Sequence, residues 1–186
     1  MEKTEQVQLS REITSQLDNL LGKVNFEEAI NEPEGYQELP DGYYLGCVEK
    51  AELTVSKSSN QPMVALTFKV VEDGQKTDCD ANGEIFYSEA KGSKNRKIFM
   101  YFVLKDENSV SRFARDMVKF EDENGQPLLD IQCFTSSDLL MDALDILQSI
   151  KPQLYIQLST TVKDEKVSTW KNLISWTRAE VLELPL

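Results

Sequence analysis

Pro62-Met63-Val64-Ala65-Leu66-Thr67-Phe68-Lys69-Val70 sets Val64, Leu66, Phe68 and Val70 on one side and Met63, Ala65, Thr67 and Lys69 on the other. In an extended chain successive side chains point to opposite faces, so this run is a strand with an apolar inward face and a mixed outward face. Upstream, the polar turn Ser56-Lys57-Ser58-Ser59-Asn60-Gln61 separates it from a β run that begins at Tyr43. There Tyr44, Gly46 and Val48 share one face, after which the apolar phase shifts to Ala51, Leu53 and Val55. Such a phase slip predicts a bulge or sharp bend, as a strand serving both sides of a small barrel requires.

Downstream, residues 72–82 read as a loop, followed by two further β runs over 83–89 and 97–104. Ala90-Lys91-Gly92-Ser93-Lys94-Asn95-Arg96 between them reads as a hairpin tip. Asp106 or Asn108 can cap a helix whose apolar face is Val110, Phe113, Ala114, Met117 and Val118. After a loop over 123–127, a second helix over 136–149 carries Leu139, Leu140, Ala143, Leu144, Ile146 and Leu147 and ends near Lys151-Pro152. Two closing strands follow. The first turns Leu154, Ile156 and Leu158 inward; the second, from Val167, puts Trp170, Asn172, Ile174 and Trp176 on one side. At the other end of the chain, residues 5–21 form an amphipathic pattern with Ile13, Leu17, Leu20 and Leu21 on one face and Gly22 as C-cap. That helix is expected to dock on the barrel or on a second subunit. Pro33, Gly35, Pro40 and Gly42 mark a linker and turn stretch over 31–42.

This order predicts a β-rich α+β fold: a five-stranded OB-like Greek-key barrel with helices inserted between strands three and four and an extra N-terminal helix. The domains are an N-terminal helical extension over 1–23 and the barrel over 24–186. A plain β-sandwich is the alternative that the order leaves open.

A chain of 186 residues, 40% of them hydrophobic, suffices for one substantial core. Asp and Glu number 32 against 20 Lys and Arg, a net charge of −12 that opposes indiscriminate binding to duplex DNA or acidic membranes but leaves room for a local basic groove. Histidine is absent, which removes Ser-His-Asp and Cys-His nucleophilic mechanisms and most catalytic zinc sites. Cys47, Cys79 and Cys133 form no CxxC pair, so neither structural zinc nor a disulfide framework is indicated. The start of the sequence is polar, and no window approaches the roughly 18 apolar residues of a membrane span. The expectation is a cytoplasmic, non-enzymatic protein with no metal or cofactor.

One succession of residues is similar to a known family. Val24-Asn25-Phe26 precedes an acidic stretch, then Gly35-Tyr36-Gln37-Glu38-Leu39-Pro40-Asp41-Gly42-Tyr43-Tyr44 and Val48-Glu49-Lys50-Ala51-Glu52-Leu53. Ser56-Lys57-Ser58 and the strand ending Phe68-Lys69-Val70 follow, and Trp170-Lys171-Asn172-Leu173-Ile174 resembles the family's last strand. Over residues 24–178 the chain resembles the phage and prophage OB-fold single-stranded DNA-binding family found in recombination and replication clusters. The resemblance implies a single-strand binder with little sequence preference, working in a bacterial host cell. The extra N-terminal helix, and Ser59-Asn60 where a compact glycine is usual, depart from the family pattern.

Binding a single strand requires cations along the backbone track and exposed rings on which bases stack. Lys91, Lys94, Arg96 and Lys97 adjoin Phe99 and Tyr101, with Phe86 and Tyr87 on the expected partner strand. Lys57 in the first loop, and Lys163 and Lys166 in the last, belong to loops that flank the ligand face of an OB-fold. The candidate DNA-binding residues are therefore Lys57, Tyr87, Lys91, Lys94, Arg96, Lys97, Phe99, Tyr101 and Trp170. The bland reading of a charged tip is a solvated turn. Phe102, in phase with Ile98, Met100 and Leu104, belongs to the core, and the phase of Trp170 and Trp176 with Ile174 favours their burial.

Asp80, Glu89 and Lys91 approximate a nuclease "D…ExK" pattern, which arises by chance in acidic chains. The stronger rival is nucleic-acid mimicry: Glu27-Glu28, Glu32, Glu34, Glu38, Asp41 and Glu121-Asp122-Glu123 would present phosphate-like charge to a basic channel in a host defence nuclease such as a CRISPR effector. Glu180-Val-Leu-Glu-Leu-Pro-Leu186 is either a recruiting tip for a phage recombinase, helicase or polymerase, or the ordered end of the last strand. A homo-oligomer would form through the N-terminal helix.

Overall fold

The alternating run over 62–70 is the middle of a sheet. The computed structural model describes residues 38–163 and 166–184; the expected helix over 5–21, the 1–23 extension and the linker up to residue 37 lie outside them. Strands β1 (Gly42–Val55), β2 (Pro62–Val70), β3 (Gly74–Cys79), β4 (Ile85–Ala90) and β5 (Lys97–Val103) come first. Helix α1 (Glu107–Met117), a 3-10 turn (Ile131–Phe134) and helix α2 (Ser137–Ile150) follow, then β6 (Gln153–Lys163), β7 (Lys166–Ile174) and the short helix α3 (Trp176–Val181).

All the strand pairings are antiparallel. The order runs β4-β3-β1-β2-β5, with β6 on β1 and β7 on β6. The long β1 holds this together because its two ends have different neighbours: Gly46 to Val55 pair with β2, while Gly42 to Cys47 pair with β6. The β1–β2 register shifts between Val48 and Lys50, where the apolar phase slips in the sequence. The extra residue bends the strand and lets Val48 and Ala51 both reach the core. Gly46 on β1 leaves room for the Ile156 side chain of β6; a Cβ there would fall 2.7 Å from Ile156 Cδ1.

The inward face of β2 is completely buried, and Phe68 stacks on Phe120 with ring centroids 6.4 Å apart. Ile98 and Met100 from β5, Leu154, Ile156 and Leu158 from β6, Phe113 and Met117 from α1, and Ala143, Leu144 and Leu147 from α2 complete this core. Both long helices are stopped and started by local chemistry. Asp106 accepts from the Ser109 amide in a capping box, Ser136 caps α2, and Lys151 ends α2 in a left-handed conformation. A second cluster lies on the opposite face of β1, β6 and β7: Leu45, Tyr155 and Ile174 are covered by Ala179 and Leu184, with Trp176 packed alongside.

Several expectations change. Residues 74–79, expected in a loop, form β3, because Gln75, Lys76, Thr77 and Asp78 pair through their backbones without needing an apolar face. The 83–89 run then pairs with β3, and the 97–104 run pairs with β2, so residues 90–96 connect two separate strands instead of capping a hairpin. Among the described residues the sheet accordingly has seven strands where five were expected. Among the described residues no ladder joins β5 to β7, so strand pairing does not close it. The helices lie between β5 and β6, the fifth and sixth strands in chain order. Residues 176–181 are helical, ending the last strand at Ile174. Among the described residues, no helix is long and apolar enough to cross a membrane.

Candidate nucleic-acid interface

Strand β5 alternates cleanly: Ile98 and Met100 enter the core, while Phe99 and Tyr101 turn outward with 39% and 61% of their surfaces exposed. The neighbouring strand makes this exposure possible. Phe99 lies opposite Thr67 and Tyr101 opposite Ala65, and both partners are too small to cover a ring. Lys69 and Lys97 face each other at one end of the same outward face. Lys50, opposite Thr67 on β1, adds a third cation. Two of these cations are already paired: Lys97 Nζ sits 2.7 Å from Glu49 Oε2, and Lys50 Nζ 2.7 Å from Glu52 Oε2. The Lys97 ammonium holds the Glu49 carboxyl below its usual range. Such exposed pairs contribute little to stability and exchange readily for other anions.

The segment over 91–96 is anchored rather than loose. The Asp73 carboxylate accepts from the Lys94 amide at 2.8 Å, which lowers its pKa. The buried Ser93 hydroxyl accepts from the Gly74 amide at 2.8 Å. The Val70 amide donates to Arg96 O, and its carbonyl accepts from the Asn95 amide, each at 2.9 Å. The backbone carrying Lys91, Lys94 and Arg96 is thereby fixed to the end of β2, next to Lys97. Lys57 is exposed in the β1–β2 turn at the opposite end of the face, where Leu104 donates to Pro62 O at 2.8 Å.

Trp170 is 60% exposed, contrary to the burial favoured by its phase. Its strand continues past the second cluster, so Ile174 is covered while Trp170 is not; the indole Nε1 donates to Thr161 Oγ1 at 3.0 Å. The adjacent Lys171 donates from Nζ to Phe99 O at 2.7 Å, tying β7 to the edge of β5. Phe99 and Trp170 both point away from the main core, on strands that this bond links. Trp176 instead packs edge-on against Tyr155 at 5.9 Å.

Tyr87 stands apart. It is on β4, four strands from β5 in the sheet order, and meets Tyr43 edge-on at 5.7 Å. Lys50, Lys69 and Lys171 are the residues that sequence reasoning left out of the site. The outward phase of Lys69 was legible from alternation, but the Lys171–Phe99 bond depends on how the sheet curls. Asp41, counted among the mimicking acids, is a tether: its carboxylate accepts from the Thr160 amide at 2.7 Å and hydroxyl at 2.8 Å. Glu27 to Glu34 lie outside the described residues. No cluster of potential metal ligands occurs among the described residues. The nuclease-like Asp80 is a half-buried loop residue whose carboxylate accepts from the Asn82 and Glu84 amides at 2.8 Å.

Over its described residues the chain is thus a β-rich α+β protein built on an antiparallel seven-stranded open sheet. No protein-family model matches its sequence, and no curated protein matches it.

Proposed function

We propose that the protein is a non-enzymatic, OB-like single-stranded DNA-binding module of a phage or prophage replication or recombination system, binding with little sequence preference. In this reading the five barrel strands are β1, β2, β5, β6 and β7, and the β3–β4 ribbon is an outgrowth. The domain is the 24–186 region, with 1–23 as its extension. The long β1 shared between β2 and β6, and the helices between β5 and β6, support the assignment.

The observation that carries the reading is the pair Phe99 and Tyr101, exposed on the outward face with small neighbours and cations at both ends. From Lys97 to Val103 the strand spans about 20 Å, room for several nucleotides laid along it. Lys57, Lys91, Lys94, Arg96 and Lys97 meet phosphates while Phe99, Tyr101 and Trp170 stack on bases. Tyr87, joined to Tyr43, extends the surface only if the strand crosses β1. Lys97 exchanges Glu49 for a phosphate. In residues 180–186, Leu184 is buried, which leaves the exposed Val181 and Leu182 for a recombinase, helicase or polymerase.

Fluorescence anisotropy of a labelled oligothymidylate tests the proposal. A saturable complex at low ionic strength is expected. Phe99→Ala and Tyr101→Ala should each remove about 1–3 kcal/mol of binding, roughly five- to 150-fold in affinity. An oligonucleotide left untouched by a folded chain that nonetheless blocks a nuclease with a basic channel would establish mimicry instead. The acidic depression formed by Glu121, Asp122, Glu123 and Glu180 is the surface that reading would use.

A further inference from the structure

Strand β4 is the end of the sheet, and among the described residues only β3 pairs with it. Ile85, Phe86 and Tyr87 are 69%, 48% and 52% exposed, so large apolar side chains stand uncovered on both faces of the same edge. A long apolar edge presenting backbone donors and acceptors is a template for another strand. The phase of its free groups can be read. The Asp80 amide donates to Glu84 O at 2.9 Å at the start of the β3–β4 ladder. Because hydrogen-bonded residues alternate in an antiparallel pair, Phe86 and Ser88 direct their backbone groups to β3, and Ile85, Tyr87 and Glu89 direct theirs outward.

We infer that a second copy of this chain adds to the sheet along β4, antiparallel to its counterpart about a two-fold axis at Phe86. This register sets Ile85 opposite Tyr87, the residues with outward amides and carbonyls, and Phe86 opposite Phe86. It also sets Glu84 opposite Ser88 and Glu89 opposite Gly83, so no like charges face each other although each chain carries −12. A two-fold axis at Tyr87 satisfies the same backbone phase but places Ile85 against Glu89, losing the apolar pair. An axis between residues would set outward groups against groups already used by β3. The self-match of phase, apolar contact and charge is what selects a copy of the chain over an unrelated strand, and the symmetric interface closes at two. A six-residue ladder is small for an interface, so the dimer is weak and concentration-dependent. Because β4 and β5 end the β4-β3-β1-β2-β5 path, this dimer and the nucleic-acid reading stand or fall separately.

Sedimentation equilibrium of the full chain at rising micromolar concentration should show monomer giving way to dimer. Phe86→Lys, which places two ammonium groups together at the axis, should abolish that shift while its thermal melt stays that of the parent. In a Cys79→Ser background oxidised by glutathione disulfide, Phe86→Cys should yield a cross-linked dimer, since directly opposite residues in a non-hydrogen-bonded pair are close enough for a disulfide. Ile85→Cys should not. A parent chain that stays monomeric throughout, a Phe86→Lys chain that still dimerises, or cross-linking through Ile85→Cys instead of Phe86→Cys would each overturn the inference.

Discussion

Tyr44 illustrates how a single side chain links sequence phase to stability. It lies on the inward face of β1, its ring is buried, and its hydroxyl donates to Pro40 O at 2.7 Å. Burial pushes the phenol from its ordinary 10.0 up to about 12. Between those two values the unfolded chain has released the proton and the folded chain has kept it, so raising the pH favours unfolding. The contribution of Tyr44 is therefore complete below about pH 10 and is lost as pH rises towards about 12. Urea melts across that window should show falling stability, and Tyr44→Phe should flatten the fall while costing about 1 kcal/mol at neutral pH for the lost hydrogen bond. Phe68→Ala, which empties the space beneath Phe120, should cost about 3–5 kcal/mol in the same measurement. Glu49 bears instead on the proposed binding of single strands. Replacing it by Gln takes away the anion that competes for Lys97 and lowers the negative charge of the outward face. Oligonucleotide affinity should then rise a few-fold, with the gain shrinking as salt is added.

At the scale of elements, the β5 edge and the 91–97 segment are separate pieces assembled by anchors. Replacing Lys94, Arg96 and Lys97 together by Ala should weaken oligonucleotide binding and reduce the slope of log affinity against log salt by about 2, at roughly 0.7 for each phosphate that is no longer neutralised. An unchanged slope would remove these three from the interface. The segment was visible in the sequence as a cationic stretch beside aromatic residues, but its shape was not. A hairpin is the economical reading of two adjacent β runs. Here Asp73 and Ser93 hold the connection against the end of β2, and each run finds a different neighbour. Strand β3 was missed because Gly74-Gln-Lys-Thr-Asp-Cys79 lacks the apolar alternation by which strands are recognised. β3 is mostly half-buried and its partner β4 largely exposed, so nothing required such a pattern. Asp41 ties this ribbon to the other one, since its carbonyl accepts from the Thr77 amide at 2.7 Å while its carboxylate holds Thr160. Asp41→Ala should speed amide hydrogen exchange at Thr160 and lower the melting temperature.

For the whole molecule, the charge of −12 and the cationic strip on one face act at different distances. The net charge repels a polyanion from afar, and the strip acts within a Debye length, about 10 Å at 0.1 M salt. Low salt thus strengthens both contributions, so association should be slower than for a basic binder of equal affinity. The chain's last described residues act structurally: Leu184 and Ala179 close the second cluster over Leu45, Tyr155 and Ile174. Leu184→Ala should destabilise the fold by roughly 2–4 kcal/mol in denaturant melts while leaving oligonucleotide affinity unaltered below the transition.

Periodicity by itself determined much of the inward face but not all of it: Val55, Val110, Leu139 and Ile146, in phase with core residues, are exposed. The alternation in 62–70, the slip after Val48, and the inward Leu154, Ile156 and Leu158 follow from local geometry, which sequence spacing encodes directly; of the two caps the sequence offered for α1, Asp106 and Asn108, the structure uses Asp106. Which strands pair, where the sheet stays open, and that Trp170 is bare while Ile174 is covered were decided only in three dimensions. Those outcomes depend on interactions between residues distant in the chain, such as Lys171 with Phe99 and Leu184 with its cluster, whose energies no local pattern records.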